Sequence, residues 1–575
     1  MRTYAIANMK FIDVTALADA SVESSDNQSV GNLGLFEVQT AQNSYGTGEL
    51  NQFILDGSRE IMPDAPTDIA FWSDEKSNSD CTFDSNPVIE ITFAGPHTSS
   101  GITLYFAEEY PAEVKITWYD TTGAKLMDKT FYPDKLIYVC KHQEQNYGKI
   151  RIEFVKTMLP DRYVKLQYIL YGQYITWEDS TIQSAKVQEE IDETSATLSI
   201  NTADISVVDE NNDFDIGNED GAWKSVQKTQ EVTLTEYRGG NTIPAGTFYI
   251  DKHSFSGKIA KFDLIDAIGL MDKYTFCDGD VYVNELAGNM LEKVFAAAGI
   301  TKYLIDDDVY NTQLTGYLAI QTCRAALQMI CFACGAVADD SRSDTVKVYK
   351  PDRYVKATIG INRKFYGNTK VQLDEYVSGV TIKCKKYALA EESTEIYSDV
   401  LPAGTTRITF SEPYNPESIE ASAGTIVSAK TNYMDISKES SGECIITGIK
   451  YASSEFAYQK NVQVMEAGES ENIKNYGACT LYNASLLGDI AERLLSYHSL
   501  RKKVDLKYLL DTEQVGNWAN IGDVKGNVAT TLIESQSIDL TGGFISIASC
   551  RGYSVVVTEN FYTGTELYAG GGALL

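Results

Sequence analysis

Apolar and polar positions alternate with a period of two through much of the first third of the chain. Ile89, Ile91 and Phe93 step this way, as do Ile102, Leu104 and Phe106, then Val114, Ile116 and Trp118. Ile150, Ile152 and Phe154 follow, and then Val164, Leu166, Tyr168 and Leu170. Short strands at this spacing, with a turn such as DTTG at 120–123, predict a β-sandwich over residues 48–178. A charged bridge, EDSTIQSAKVQEEIDETSA, leads into a second β region at 194–268, whose strands surround the acidic loop ENNDFDIGNEDG.

The period then changes. Ile320, Cys323, Leu327, Ile330 and Cys334 step by three and four, which places them on one helical face, with Gly335 at the C′ position. An earlier unit, ELAGNMLEKVFAAAGITKYLI, puts Leu286, Met290, Val294 and Ala297 on one face and closes at Gly299. Two helix–turn–strand units predict a small α/β domain over 276–352. A third β region opens at VQLDEYVSGVTIKCKKY and makes a long polar excursion over 391–475. It passes through a helix at 483–503 and returns to strands up to 557, and the last residues, 558–575, read as a tail.

At 575 residues, with 43% hydrophobic and 11% aromatic content, the chain is long enough for about three to five domains with real cores. Its N-terminus, MRTYAIANMKFIDVT, has no continuous apolar stretch of signal-peptide type. The longest apolar run, around 325–338, is too short to span roughly 30 Å of hydrocarbon. Forty-nine basic residues stand against 80 acidic ones, a net charge of −31. That balance describes an acidic soluble protein, argues against tight binding of phosphate backbones, and suits a surface past which DNA moves without sticking.

Chemistry is sparse. Cys331 and Cys334 have the C-x-x-C spacing of a redox dithiol or half a zinc site. The pair closes a helix rather than opening one after a strand, and no second ligand pair lies near it, so it reads as core packing. The ten cysteines are scattered and read as reduced. Only four histidines occur (His97, His142, His253 and His498), and no nucleophile-elbow, zincin or P-loop motif is present. Asp209, Asn211 and Asp213 imitate the start of a calcium loop, but Phe214 stands where that loop needs glycine. The chain is therefore expected to carry no catalytic residue, metal or cofactor. Trp118 shares the core face with Ile116, whereas alternation turns Tyr105 and Tyr119 outward, which makes them the glycan-binding candidates.

Three blocks, taken in order, resemble one family. SINTADISVVD, DFDIGNEDGAWKSVQKTQEV and GTFYIDKHSFSGKIAKFDLIDAIGLMDKYTF resemble the first tube-type domain of phage tail hub proteins. GYLAIQTCRAALQMICFACGAVADDSRSDTVKVYKPD resembles the α/β domain of the hub. IAERLLSYHSLRKKVDLKYLLDTEQVGNWANIGDVKGNVATTLIESQSIDLTGGFISIASCRGY resembles the helix that leads back into the second tube-type domain. FILDGSREIMPDAP and IAFWSDEKSNSDCTFDSNPVIEITF, with Leu55, Asp56, Gly57, Trp72 and Ser73, resemble a galactose-binding-like, discoidin-type module.

The resemblance implies a multidomain, mainly β protein with α+β parts. The first tube-type domain takes 1–18 and 179–275, and the inserted sandwich takes 19–178. The α/β domain takes 276–352, the second tube-type domain 353–390 with 504–557, and a mixed β domain 391–503. It also implies a baseplate or tail-tip hub in the virion, assembled in the host cytoplasm as a homotrimer that joins a hexameric tail tube to a threefold tip. Implied partners are a distal tail or tail tube protein, a tape measure protein and a separate tip, spike or hydrolase protein. Host saccharide is an implied partner of the sandwich, which is equally readable as a structural collar. DNA would pass through without specific binding. The alternative is a carbohydrate-binding adhesin or an accessory module of a glycan-active enzyme.

Overall fold

The computed structural model describes residues 3–12, 14–25, 27–30, 69–107, 109–210, 212–215, 217–218, 223, 229–365, 367, 369–522, 528–555, 562–563 and 566–567. Leu55, Asp56 and Gly57, Asn211 and most of the 558–575 tail lie outside them. The chain is mainly β and is divided among several sheets. Among the described residues no helix is long and apolar enough to cross a membrane.

One sheet of thirteen strands dominates. Its order along one half is Gly172–Trp177, Thr3–Ile12, Glu231–Arg238, Asn241–Ser256, Ile259–Ile265, Thr202–Val208 and Ile182–Glu190. It continues without a break into Val528–Asp539, Ile545–Val555, Lys502–Leu509 and Lys370–Leu373, while Trp518–Gly522 and Val355–Ile359 branch from Val528–Asp539. Both halves contribute to a single core: Ala185, Val187, Ile205 and Phe262 from the first, Val504, Leu506, Ile538 and Ala548 from the second. Strands such as Thr202–Val208, Ile259–Ile265 and Lys502–Leu509 alternate, with one face in this core and the other outside it.

The sandwich is a separate eight-stranded sheet. Its two longest strands, Val88–Phe106 and Ile137–Thr157, pair with a register break over residues 92–101. Ile89 and Ile91 from one half of the first strand and Ile102 and Leu104 from the other enter the same core. The sheet therefore curls around that core. Trp118 is fully buried in it, as its alternation with Ile116 requires.

Alternation identifies a strand without naming its partner, and two boundaries differ for that reason. Gly172–Trp177 pairs with Thr3–Ile12 in the large sheet rather than with the sandwich. Residues 379–390 begin a 23-residue strand, Gly379–Leu401, that pairs along its length with Gly442–Asn461 and leaves the large sheet. The far end of this ribbon carries its own core of Leu401, Ile408, Met434, Ile436, Cys444 and Ile446. At its base, Val380, Ile382 and Cys384 pack on Ile490, Ala491 and Leu494 of the Leu487–His498 helix. Each such fully buried leucine or isoleucine contributes about 1.5–3 kcal/mol.

The α/β unit holds the helices Ala287–Ala297 and Cys323–Cys334. Thr322 caps the second by accepting the Ala325 N–H, and Gly335 ends it in the left-handed region at φ 68°. Cys323, Leu327, Ile330 and Cys334 are all buried, as the three–four spacing predicts.

Candidate functional site

Among the described residues no group of three or more metal-ligating side chains converges. The distinctive feature is the seam at which the two halves of the large sheet meet. Ile182–Glu190 and Val528–Asp539 run antiparallel there, with Lys186 opposite Asp539, Gln188 opposite Ser537 and Glu189 opposite Gln536.

Glu189 points inward and is 1% exposed. It accepts hydrogen bonds from Arg342 Nε at 2.8 Å and from Gln536 Nε2 at 2.6 Å. Arg342 Nη2 also donates to the Glu513 carbonyl at 2.8 Å, and the Glu513 carboxylate takes a two-pronged bond from Arg363 at 2.7 Å on each oxygen. Tyr508 and Ser546 donate to Gln536 Oε1. Each buried charge is thus paired and hydrogen-bonded, which such groups need to stay folded. The network draws on the first half, the second half and the α/β unit, so it fixes all three in one geometry.

The opposite face of the sheet is polar and crosses the seam without interruption. A cross-strand row runs from Asp539 through Lys186 and Asp204 to Asp263. Lys261 stands 2.8 Å from Asp263 and 3.5 Å from Asp204, and its hydrogen bond holds the Asp263 carboxyl below the usual range. Farther along, Lys503, Asp505 and Lys507 alternate with the inward Val504 and Leu506. The face mixes both signs with serine and threonine, and also carries exposed apolar side chains such as Ile547 opposite Lys507.

The two ends of the main strand path differ. Along Gly172–Trp177 the sandwich covers the outer side: Thr103 Oγ1 donates to the Gly172 carbonyl and accepts the Tyr174 N–H, both at 3.0 Å. Lys370–Leu373 is exposed at all four positions, with Val371 56% and Leu373 71% accessible. Among the described residues no strand pairs with its free side. An uncovered edge bearing apolar side chains is a template for another strand.

The structure does not bring the glycan-binding candidates together. Tyr105 is buried, contrary to its expected outward face. It stacks on Tyr168 with ring centroids 3.8 Å apart and meets Tyr174 edge-on at 5.8 Å. Alternation does turn it off the sandwich core, but the large sheet covers that second face, and burial raises its hydroxyl above the ordinary tyrosine value. Tyr119 is half-buried on a different strand, opposite Lys125 and Lys149. The seam residues Glu189, Gln536, Arg342 and Glu513 went unrecognised in the sequence. For Glu189 and Gln536 the one signal is a glutamate or glutamine on the apolar phase of an alternating strand, and Arg342 and Glu513, in connections between strands, carry none.

Cys331 and Cys334 are packed in the core of the α/β unit, and burial pushes both thiols up, Cys334 to about 12. Asp209 accepts the backbone N–H groups of Asp213 and Phe214, and Phe214 is buried against Trp177 and Phe262. Asp209 thus caps a turn, and its oxygens are occupied by the backbone.

No protein-family model matches the chain, and no curated protein matches it. Solved structures of similar fold include the tail protein from Neisseria meningitidis MC58, 11% identical, with a TM-score of 0.39 over 66% of this chain and 93% of that one. Prophage tail protein gp18 from Listeria monocytogenes EGD-e is 8% identical, with a TM-score of 0.38 over 66% of this chain and 91% of that one. The E. coli c3393 protein, a component of the type VI secretion system, is 8% identical, with a TM-score of 0.33 over 65% and 74%.

Proposed function

We propose that this chain is a structural hub of a phage tail tip or baseplate, a non-enzymatic virion component that joins a sixfold tube to a threefold tip. The observation that carries the reading is the seam. Two β units from distant parts of one chain are joined edge to edge into a single sheet through Ile182–Glu190 and Val528–Asp539. Three such chains supply six units around an axis, so a threefold ring can face a sixfold one, with the mismatch absorbed inside each chain. The order of hub-like blocks in the sequence supports the same assignment.

In this reading the exposed Lys370–Leu373 edge makes the contact between copies, and the mixed-charge face lines or borders the DNA channel. Such a lining lacks the continuous positive charge that holds phosphates. Partners would be a distal tail or tube protein, a tape measure protein and a separate tip, spike or hydrolase protein. The sandwich serves as a collar, a role favoured by the way Thr103 closes the Gly172–Trp177 edge. Mass photometry of the purified chain, alone and with a tube protein, tests the proposal. A particle of three chain masses with a threefold image is expected. A monomer at high concentration, also in assembled particles, would overturn it.

A further inference from the structure

Cys384 and Cys479, far apart in sequence, are register partners on the parallel strands Gly379–Leu401 and Ile473–Cys479. Opposed residues of a parallel pair project to the same face, and paired strands lie about 4.8 Å apart. That separation falls within the roughly 4.4–6.8 Å that a disulfide spans between Cα atoms. Both side chains belong to the same packed cluster at the base of the ribbon. Cys384 is 1% exposed in the core against the Leu487–His498 helix, whereas Cys479 is half-buried at its rim. Cys479 is thus the more solvent-accessible residue of the pair.

We infer that Cys384 and Cys479 form a redox-active dithiol that closes to a disulfide when the protein meets a small-molecule disulfide. The Cys479 thiolate attacks that disulfide, forming a mixed disulfide and releasing one small thiolate. Cys384 then gives up its proton, attacks the Cys479 sulfur and releases the second small thiolate. One S–S bond forms in the protein, one is consumed, and two electrons leave the cysteine pair for the small molecule. The closeness of the two thiols suits this order, because each perturbs the other: Cys479 is held below its ordinary value and Cys384 is raised, with burial adding to the rise. Cys331 and Cys334, the pair with the motif spacing, are both enclosed and both raised.

The product would fasten the strand leading into the Leu487–His498 helix to the base of the ribbon, closing residues 385–478 into a covalent loop. Only the timing rests on the tail-component reading: a chain made in reducing cytoplasm and carried outside would close after release.

The test uses the full-length chain, reduced, freed of reductant and incubated with oxidised glutathione at pH 8, then alkylated and mapped by mass spectrometry without reduction. A peptide linked through Cys384 and Cys479, with the remaining cysteines alkylated, is expected in most molecules. Cys384→Ala should instead retain a glutathione adduct on Cys479, and Cys479→Ser should lose both products. A lasting adduct on Cys479 of the unaltered chain, no reaction, or linkage of either residue to another cysteine would overturn the inference. A chain that forms the link yet stays monomeric keeps this inference and defeats the hub reading.

Discussion

Lys186 and Asp539 face each other across the seam of the large sheet, on the side away from the core, while the neighbouring pair Glu189 and Gln536 faces inward. One short register therefore carries a solvated pair of opposite charges above and a buried polar network below. The two differ in what they contribute. An exposed cross-strand charge pair gives about 0.2–1 kcal/mol. Removing one partner of a buried, hydrogen-bonded ion pair costs about 3–5 kcal/mol, because the other charge is left stranded.

Arg342→Met should accordingly lower the stability of the chain by about 3–5 kcal/mol, whereas Lys186→Ala should change it by less than about 1 kcal/mol. Urea unfolding of the two variants measures the contrast. Equal losses would show that the seam is not held by the Glu189–Arg342 pair.

Val371→Lys combined with Leu373→Lys should abolish self-association and leave the fold intact. Both side chains are mostly exposed, and surface changes of this kind stay within about 0.5 kcal/mol. Introduced lysines oppose strand addition at an edge. Sedimentation and thermal unfolding report the two quantities separately. Association that survives the double change would move the contact between copies elsewhere.

Much of this was legible in the sequence. Period-two runs marked the strands of the sandwich, and the three–four spacing of Cys323, Leu327, Ile330 and Cys334 marked a buried helix face, while the joining of the later β regions into one sheet had no signal. Which strands pair was not legible, since Gly172–Trp177 alternates equally well for either sheet. Tyr105 shows the same limit at the level of one residue: its phase is correct, but a second layer covers that phase. Gln536 and Glu189 look like breaks in an apolar pattern until the strands that complete their hydrogen bonds are placed beside them.

Three carboxyl groups near the seam give the stability a pH dependence of unusual sign. Asp266 and Asp340 are buried together, hydrogen-bonded to Asn201 from either side, and burial raises both. Asp339 beside them is pushed up to about 6 by burial, with the charges of Asp340 and Glu189 also facing it. A raised carboxyl binds its proton more tightly in the folded state than in the unfolded state. For Asp339 the contribution therefore falls as pH rises from about 4 through about 6 and is flat above that. Asp339→Asn keeps the acceptor for Ser341 and removes the titration. The variant should gain about 2–3 kcal/mol over the parent chain between pH 4 and pH 7, read from urea midpoints at each pH. A constant difference across that range would assign the pH dependence to other groups.

The joint between the ribbon and the α/β unit centres on a buried amide, flanked by hydrogen bonds from Thr431 to Asp280 and from Tyr433 to Asp278. Asn432 is fully buried; its Nδ2 donates to the Gly279 carbonyl at 2.7 Å and the Leu318 carbonyl at 3.1 Å, and its Oδ1 accepts the Tyr317 hydroxyl. The contact is tight because Gly279 has no side chain: a Cβ there would come within 2.1 Å of the Leu318 carbonyl oxygen. Leucine at 432 would fill a similar volume and leave two carbonyls and a hydroxyl without partners, at about 1–3 kcal/mol for each group that water cannot reach. Local opening follows the weakest contacts first, so the loss should fall on the docking of the ribbon rather than on the large sheet. Asn432→Leu should therefore increase protease cleavage within 391–475, with little change in hydrogen exchange across the seam strands Ile182–Glu190 and Val528–Asp539. Cleavage unchanged from the parent chain would mean that the ribbon is held by its base at the Leu487–His498 helix and not by Asn432.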